Sequence, residues 1–254
     1  MTHLLVLAGT GEARQLLAQL ATNPNIRITA SLAGATDRPA AFGVETRIGG
    51  FGGVEGLAKW CDRHAVDAIV DLTHPYAAQM SRNANDAAAM AGVKLIRFMR
   101  PAWQAGKGDS WQYFESWHDM ANALPSGARV FLAGGSGALA AFSHLDHVDI
   151  WARGLNQNNN IKSNNISFIE SLPNKNSEDE EVLFNTYDIT HICAKNSGGT
   201  ASIAKLHAAR ALGLPVWLLS RPEPELAGGE QINTPDRFIS GDTAEILQYI
   251  KAML

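Results

Sequence analysis

The sequence predicts an α/β fold made of two Rossmann-like parallel-sheet domains. Three observations predict it. Short apolar runs alternate with stretches of helical spacing along the chain, the pattern of parallel strands covered on both faces by helices. A Gly-Thr-Gly turn joins the first apolar run to the first helical stretch. The strand candidates number about ten, which suits two small open sheets better than one.

Residues 3–8 (HLLVLA) form a continuous apolar run, as expected of a buried parallel strand. Gly9-Thr10-Gly11 follows, then a helix over 12–21 with Leu16, Leu17 and Leu20 at helical spacing. A second strand covers 26–32. Residues 54–63 read as a helix, 65–72 (AVDAIVDL) as a strand, the Ala-rich 76–90 as a helix and 93–97 as a strand, stopped by Arg100-Pro101. The pattern then restarts, with strands at 111–114, 129–133 and 148–151 and a helix at 137–142. A helix at 178–185, a strand at 189–194, a helix at 202–212, a strand at 215–220 (PVWLLS) and a helix at 243–253 complete it. The restart divides the chain into domains 1–105 and 106–254, with the last helix able to pack on the first. Two polar stretches, 156–165 (NQNNNIKSNN) and 173–179, interrupt the alternation as surface loops or as a lid.

Of 254 residues, 46% are hydrophobic and 18% charged, so there is enough apolar side chain for two cores, and global disorder is excluded. Against 25 acidic residues stand 21 basic ones, a net charge of −4 that excludes nucleic-acid binding by bulk charge. No apolar run approaches the ~18 residues that span a bilayer, and the short apolar start lacks a basic leader. The 2 cysteines, Cys61 and Cys193, are too few and too far apart for a disulfide framework or a zinc knuckle. The expectation is a cytoplasmic chain, a monomer or weak homodimer, whose partner is a small molecule. No metal is expected, because His144 and His147 read as a surface turn without a further ligand cluster.

Four segments carry candidate chemistry. The first is AGTGEAR at 8–14, where Gly9, Thr10 and Gly11 open the first helix. Glycines there let a backbone approach a phosphate, and the helix start offers N–H groups to the anion. The match to the dinucleotide fingerprint is partial, since Arg14 stands where the third glycine belongs. The second strand ends in Ser31-Leu32-Ala33-Gly34 with no acidic residue, and Arg38 is near; a hydroxyl with an Arg suits a 2′-phosphate and favours NADPH over NADH. The second segment is Gly49-Gly50-Phe51-Gly52-Gly53, either a flexible turn or a loop laid against a flat ligand with Phe51 as its apolar face. The third is Asp71-Leu72-Thr73-His74-Pro75-Tyr76, at the carboxyl end of a strand; it caps the next helix or supplies proton donors in His74 and Tyr76. The fourth is Lys195-Asn196-Ser197-Gly198-Gly199, a polar loop or a cradle for a carboxylate or phosphate, to which Lys205 adds charge. Arg100 and Arg221 each end a strand and are further candidates for an acidic substrate.

AGTGEAR, GGFGG, VDLTHPYA with MSRNA, RFMRPAW, and KNSGG with AKLHAARALGLPV, in this order and spacing, resemble the precorrin-6A reductases of cobalamin biosynthesis. The resemblance covers nearly the whole chain except about residues 152–178. It implies an NADPH-dependent reductase that saturates one carbon–carbon double bond of a corrin-pathway tetrapyrrole, metal-free or cobalt-bearing, held in a cleft between the two domains. It further implies that Thr10, Gly11, Glu12, Arg14, Ser31 and Gly49 to Gly52 serve the cofactor, a set to which the residues themselves add Gly9 and Arg38. Thr73, His74, Tyr76, Arg100 and Lys195 to Gly199 would serve the substrate, with Lys195, His74 and Tyr76 nearest the chemistry. The sequence departs from the family pattern at Gly134-Gly135-Ser136-Gly137, at Ala35 and around 172–174. Two rival readings keep part of this set: a non-catalytic NADP(H)-binding regulator, which has no use for the Lys195 loop, and a reductase of another acidic substrate.

Overall fold

The computed structural model describes residues 1–34, 42–154, 163–222 and 234–254. Arg38 and residues 156–162 of the Asn-rich stretch therefore lie outside the described residues. In chain order the elements are β1 (Thr2–Leu7), α1 (Gly11–Leu20), β2 (Ile26–Leu32), β3 (Glu45–Ile48), α2 (Gly53–His64), β4 (Ala68–Asp71), α3 (Ala78–Ala91) and β5 (Lys94–Phe98). Then come β6 (Trp111–Phe114), α4 (Trp117–Asn122), β7 (Arg129–Ala133), α5 (Ser136–Phe142), β8 (Asp149–Arg153), β9 (Ile166–Ile169) and α6 (Ser177–Thr186). The last are β10 (His191–Lys195), α7 (Ala204–Ala211), β11 (Val216–Leu219), β12 (Arg237–Ser240) and α8 (Thr243–Ala252).

Two compact units result. One holds Met1–Pro101 and Pro222–Leu254, the other Ala102–Arg221. Each contains one six-stranded, wholly parallel sheet, so the α/β expectation holds. The first sheet runs β3-β2-β1-β4-β5-β12 and the second β9-β8-β7-β10-β11-β6. Both have the doubly wound order, whose direction of winding reverses between β1 and β4 in one unit and between β7 and β10 in the other. At such a reversal the loops leaving the carboxyl ends part and open a crevice. The edge place beside β5 is taken by β12, the last strand of the chain; the equivalent place beside β11 is taken by β6, the first strand of its unit.

The apolar strands bury both faces. Leu4 and Val6 of β1 meet Leu16, Leu17 and Leu20 of α1 and Ile246 and Ile250 of α8. Leu5 and Leu7 point the other way, to Leu57 and Cys61 of α2 and Ala84 and Ala87 of α3. In the second unit Phe131, Ile192, Ala194 and Leu218 pack on Phe184 of α6 and Leu206 and Ala208 of α7. Both cysteines are buried and free, and desolvation pushes the Cys61 thiol up to about 11.

The units divide after Pro101, and the segment from Pro222 lies with the first, on whose sheet the last helix packs, as the sequence allowed. The reason is pairing: Arg237 to Ser240 bond in parallel to Leu95 to Phe98, and α8 buries Ile246 and Ile250 on that sheet. Three strands also lack the apolar runs of the others. They are β3, β9 and β12, each at a sheet edge and only partly buried. An edge strand has one neighbour and one half-covered face, so nothing forces a continuous apolar run on it. Among the described residues, no helix is long and apolar enough to cross a membrane.

Candidate active site

The β1–α1 turn sits at the reversal point of the first sheet. Gly9 takes φ +132°, and a Cβ on Gly9 or Gly11 would meet no atom within 4 Å. The backbone itself is thus the open wall of the turn, as a pyrophosphate at a helix N-terminus requires. Thr10 caps α1: its hydroxyl accepts from Ala13 N at 3.1 Å and donates to Leu72 O at 2.9 Å. That pair of bonds fastens the first glycine turn to the loop after β4. Glu12 lies in the first helical turn, where a carboxylate would repel a bound phosphate. Arg100, just past β5, neutralises it through Nη1 at 2.6 Å from Oε1. Arg100, a substrate candidate by sequence, thus stands beside the β1–α1 turn of the first unit. Arg14 is exposed on α1.

At the end of β2, Ser31 is buried and its hydroxyl accepts a hydrogen bond from Arg47 Nη1 at 2.8 Å. Arg47 also donates to Gly49 O at 2.8 Å and Gly50 O at 3.0 Å, and its guanidinium lies 3.7 Å above the Phe51 ring. Burial lowers its pKa from the usual guanidinium value, yet such a group stays protonated. Phe51 is packed edge-on against Trp60, at 5.7 Å between ring centres. One face of the ring is thus covered by Arg47, and the glycine loop is stiffened by the arginine. Arg47 carries no motif of its own; its position one residue pair before the glycines, opposite Ser31 in strand register, is the only cue.

The loop after β4 is organised by a buried carboxylate. Asp71 Oδ1 accepts from Thr73 N at 3.0 Å and Thr73 Oγ1 at 2.6 Å, and Oδ2 accepts from Ser81 Oγ at 2.6 Å. Arg97 Nε stands 3.5 Å from Oδ2. Thr73 is thereby a structural tie within the loop. His74 Nδ1 accepts from Tyr76 N at 3.3 Å, which leaves the proton of the neutral ring on Nε2. The His74 and Tyr76 rings lie 5.7 Å apart and are half-buried.

In the second unit the loop after β10 divides in two. Asn196 is buried and its amide is engaged by the backbone of Trp103, accepting from N at 2.8 Å and donating to O at 3.2 Å. Trp103 Nε1 donates to Gly199 O at 2.9 Å. Arg221 holds the carbonyls of Asn196 and Ser197 at 2.7 and 2.9 Å. Gly198 and Gly199 take φ +67° and +72°, the left-handed turn that brings these carbonyls round. Asn196, Gly199 and Arg221 therefore shape the loop. Lys195 and Ser197 instead line a cavity of about 240 Å³ with Gly135, Arg153, Ser171 and Lys205. Burial lowers the pKa of Lys195. Arg153 and Ser171 were not legible as site residues, because neither sits in a motif. The departure at Gly134 has a packing cause: a Cβ there would come within 2.4 Å of Ala138 Cβ and 2.8 Å of the Trp117 ring. Among the described residues no group of three or more His, Cys, Asp or Glu gathers as a metal site.

A family model described as Precorrin-6x reductase CbiJ/CobK matches residues 3–250. The precorrin-6A reductase of Rhodococcus erythropolis is 41% identical over 223 residues, 87% of this chain and 90% of that protein. That of Rhodobacter capsulatus is 43% identical over 225 residues, 87% and 89% of the two chains. The solved structure of CobK precorrin-6A reductase, 37% identical, superposes with a TM-score of 0.88 over 99% of this chain and 97% of that one. The chain belongs to the precorrin-6x reductase family, CbiJ/CobK.

Proposed function

We propose that this protein reduces one carbon–carbon double bond of precorrin-6A, giving precorrin-6B, with NADPH as reductant and in the cytoplasm. The observation that carries the cofactor assignment is the Arg47–Ser31 pair beside an open glycine turn. A guanidinium and a hydroxyl at the end of the second strand, without a carboxylate, suit a ribose 2′-phosphate. Arg47 takes the role that the sequence alone offered to Arg38. Gly9, Gly11 and the start of α1 hold the pyrophosphate, and Arg100 keeps Glu12 from repelling it. The nicotinamide supplies a hydride, so the protein's work is position, charge and proton delivery. Lys195 and Ser197 engage the substrate's carboxylates. A proton must reach the carbon next to the one that receives the hydride. His74 Nε2–H or Tyr76 Oη–H delivers it.

Anaerobic stopped-flow with NADPH and purified precorrin-6A tests this. NADPH consumption with a matching change in the tetrapyrrole spectrum is expected. Binding of NADPH without turnover, or turnover unaffected by Lys195→Ala, would overturn the assignment.

A further inference from the structure

The cavity beside Lys195 holds more positive charge than its buried acid can balance. Arg153, Lys195 and Lys205 all line it. The buried acid facing them is Glu180 of α6, and it is already spoken for. Arg153 Nη1 and Nη2 grip its two oxygens at 2.6 and 2.9 Å, and Asn174 N adds a third bond at 3.2 Å. Lys205, 5% exposed, has no carboxylate within ion-pair distance among the described residues. Its ammonium position is held by one backbone carbonyl, Ser202 O at 2.5 Å, and by the Trp103 ring at 4.8 Å. Two polar atoms of the lining residues, Arg153 Nε and Ser171 Oγ, have no hydrogen-bond partner among the described residues. Native interiors rarely leave such groups unsatisfied unless a ligand or water completes them. A buried amine without an anion costs several kcal/mol when charged, so it gives up its proton instead.

Resting on the function proposed above, we propose that this cavity is a subsite for one carboxylate arm of the tetrapyrrole, and that Lys205 takes up a proton as the arm enters. The volume suits an acetate or propionate side chain, and it is too small for a dinucleotide, whose turn lies in the other unit. The groups facing Lys205 are Glu180 from α6, Arg153 from β8, Lys195 from β10, the Trp103 ring, and Ser202 O before α7. Burial disfavours its proton most; Glu180 attracts the proton and Arg153 repels it. Burial in this company sets the Lys205 pKa down at about 7. An entering carboxylate supplies the missing counter-charge and raises it again.

The test is calorimetric titration of precorrin-6A into the wild-type protein and Lys205→Met, anaerobically, in two buffers of different ionisation enthalpy. Wild type at pH 8 should take up about one proton more than Lys205→Met, and the difference should vanish at pH 6, where the amine is already protonated. Lys205→Met should raise KM for the tetrapyrrole about tenfold, with KM for NADPH unchanged. Ser171→Ala, which deletes only the unpartnered hydroxyl, should raise the same KM severalfold. Equal proton uptake and equal KM in all three proteins would overturn the subsite while leaving the reductase intact. Absence of tetrapyrrole binding by the wild type would instead overturn the function on which it rests.

Discussion

Arg47 and Ser31 are register partners on adjacent parallel strands, joined by a hydrogen bond of 2.8 Å from Nη1 to Oγ. The bond aims a guanidinium across the end of β2. If it reads the 2′-phosphate, Arg47→Gln should cost about 1.5–3 kcal/mol in NADPH binding, a rise in KM of roughly 10- to 150-fold. NADH, lacking that phosphate, should be used no worse than by wild type. Steady-state kinetics with both cofactors decide it; equal losses for both would assign Arg47 to loop stiffness alone.

The Glu12–Arg100 pair predicts a compensating double substitution. Arg100→Ala exposes the Glu12 carboxylate to the bound pyrophosphate and should weaken NADPH binding about tenfold. Adding Glu12→Gln should restore most of it, because the repelling charge goes too. A double-mutant cycle on NADPH Kd measures the coupling. Additive losses would mean that Arg100 acts elsewhere.

Glu180 and Arg153 form a buried bidentate pair, with side chains 1% and 6% exposed. Glu180→Gln strands the guanidinium without a counter-charge and should cost about 3–5 kcal/mol of stability by urea unfolding. A change under about 1 kcal/mol would show that the pair is well solvated.

Lys205 also predicts a pH dependence of stability without any ligand. Its pKa is about 7 in the folded protein against the usual 10.5. Between these values the unfolded chain binds one more proton than the native state, so stability rises with pH across that window. Below about pH 7 both states are protonated, the full penalty applies, and the slope from this group disappears. Lys205→Met should be the more stable protein at pH 7 and should lack the rise between pH 7 and 10, as urea midpoints at several pH values will show.

The legible part of the fold was the part with a local signal. β1, β4, β7 and β10 are buried on both faces, so each had to be an apolar run, and the glycine turn after β1 announced itself in three residues. The Lys195 loop was legible as a polar cluster at a strand end. Its division of labour was not: Asn196 serves Trp103, |i−j| = 93 away, while Lys195 lines the cavity.

By itself, then, the sequence determined two parallel-sheet units, their central strands, and the polar and glycine-rich loops at the strand ends, because burial and turn chemistry are written over a few consecutive residues. Tertiary structure alone decided the edges and the ion pairs. β12 joins β5 across most of the chain, Glu12 finds Arg100 at |i−j| = 88, and Arg153 finds Glu180 at |i−j| = 27. Charge partners and edge pairings are chosen by proximity in space, and a side chain's charge carries no record of which opposite charge the fold will bring beside it.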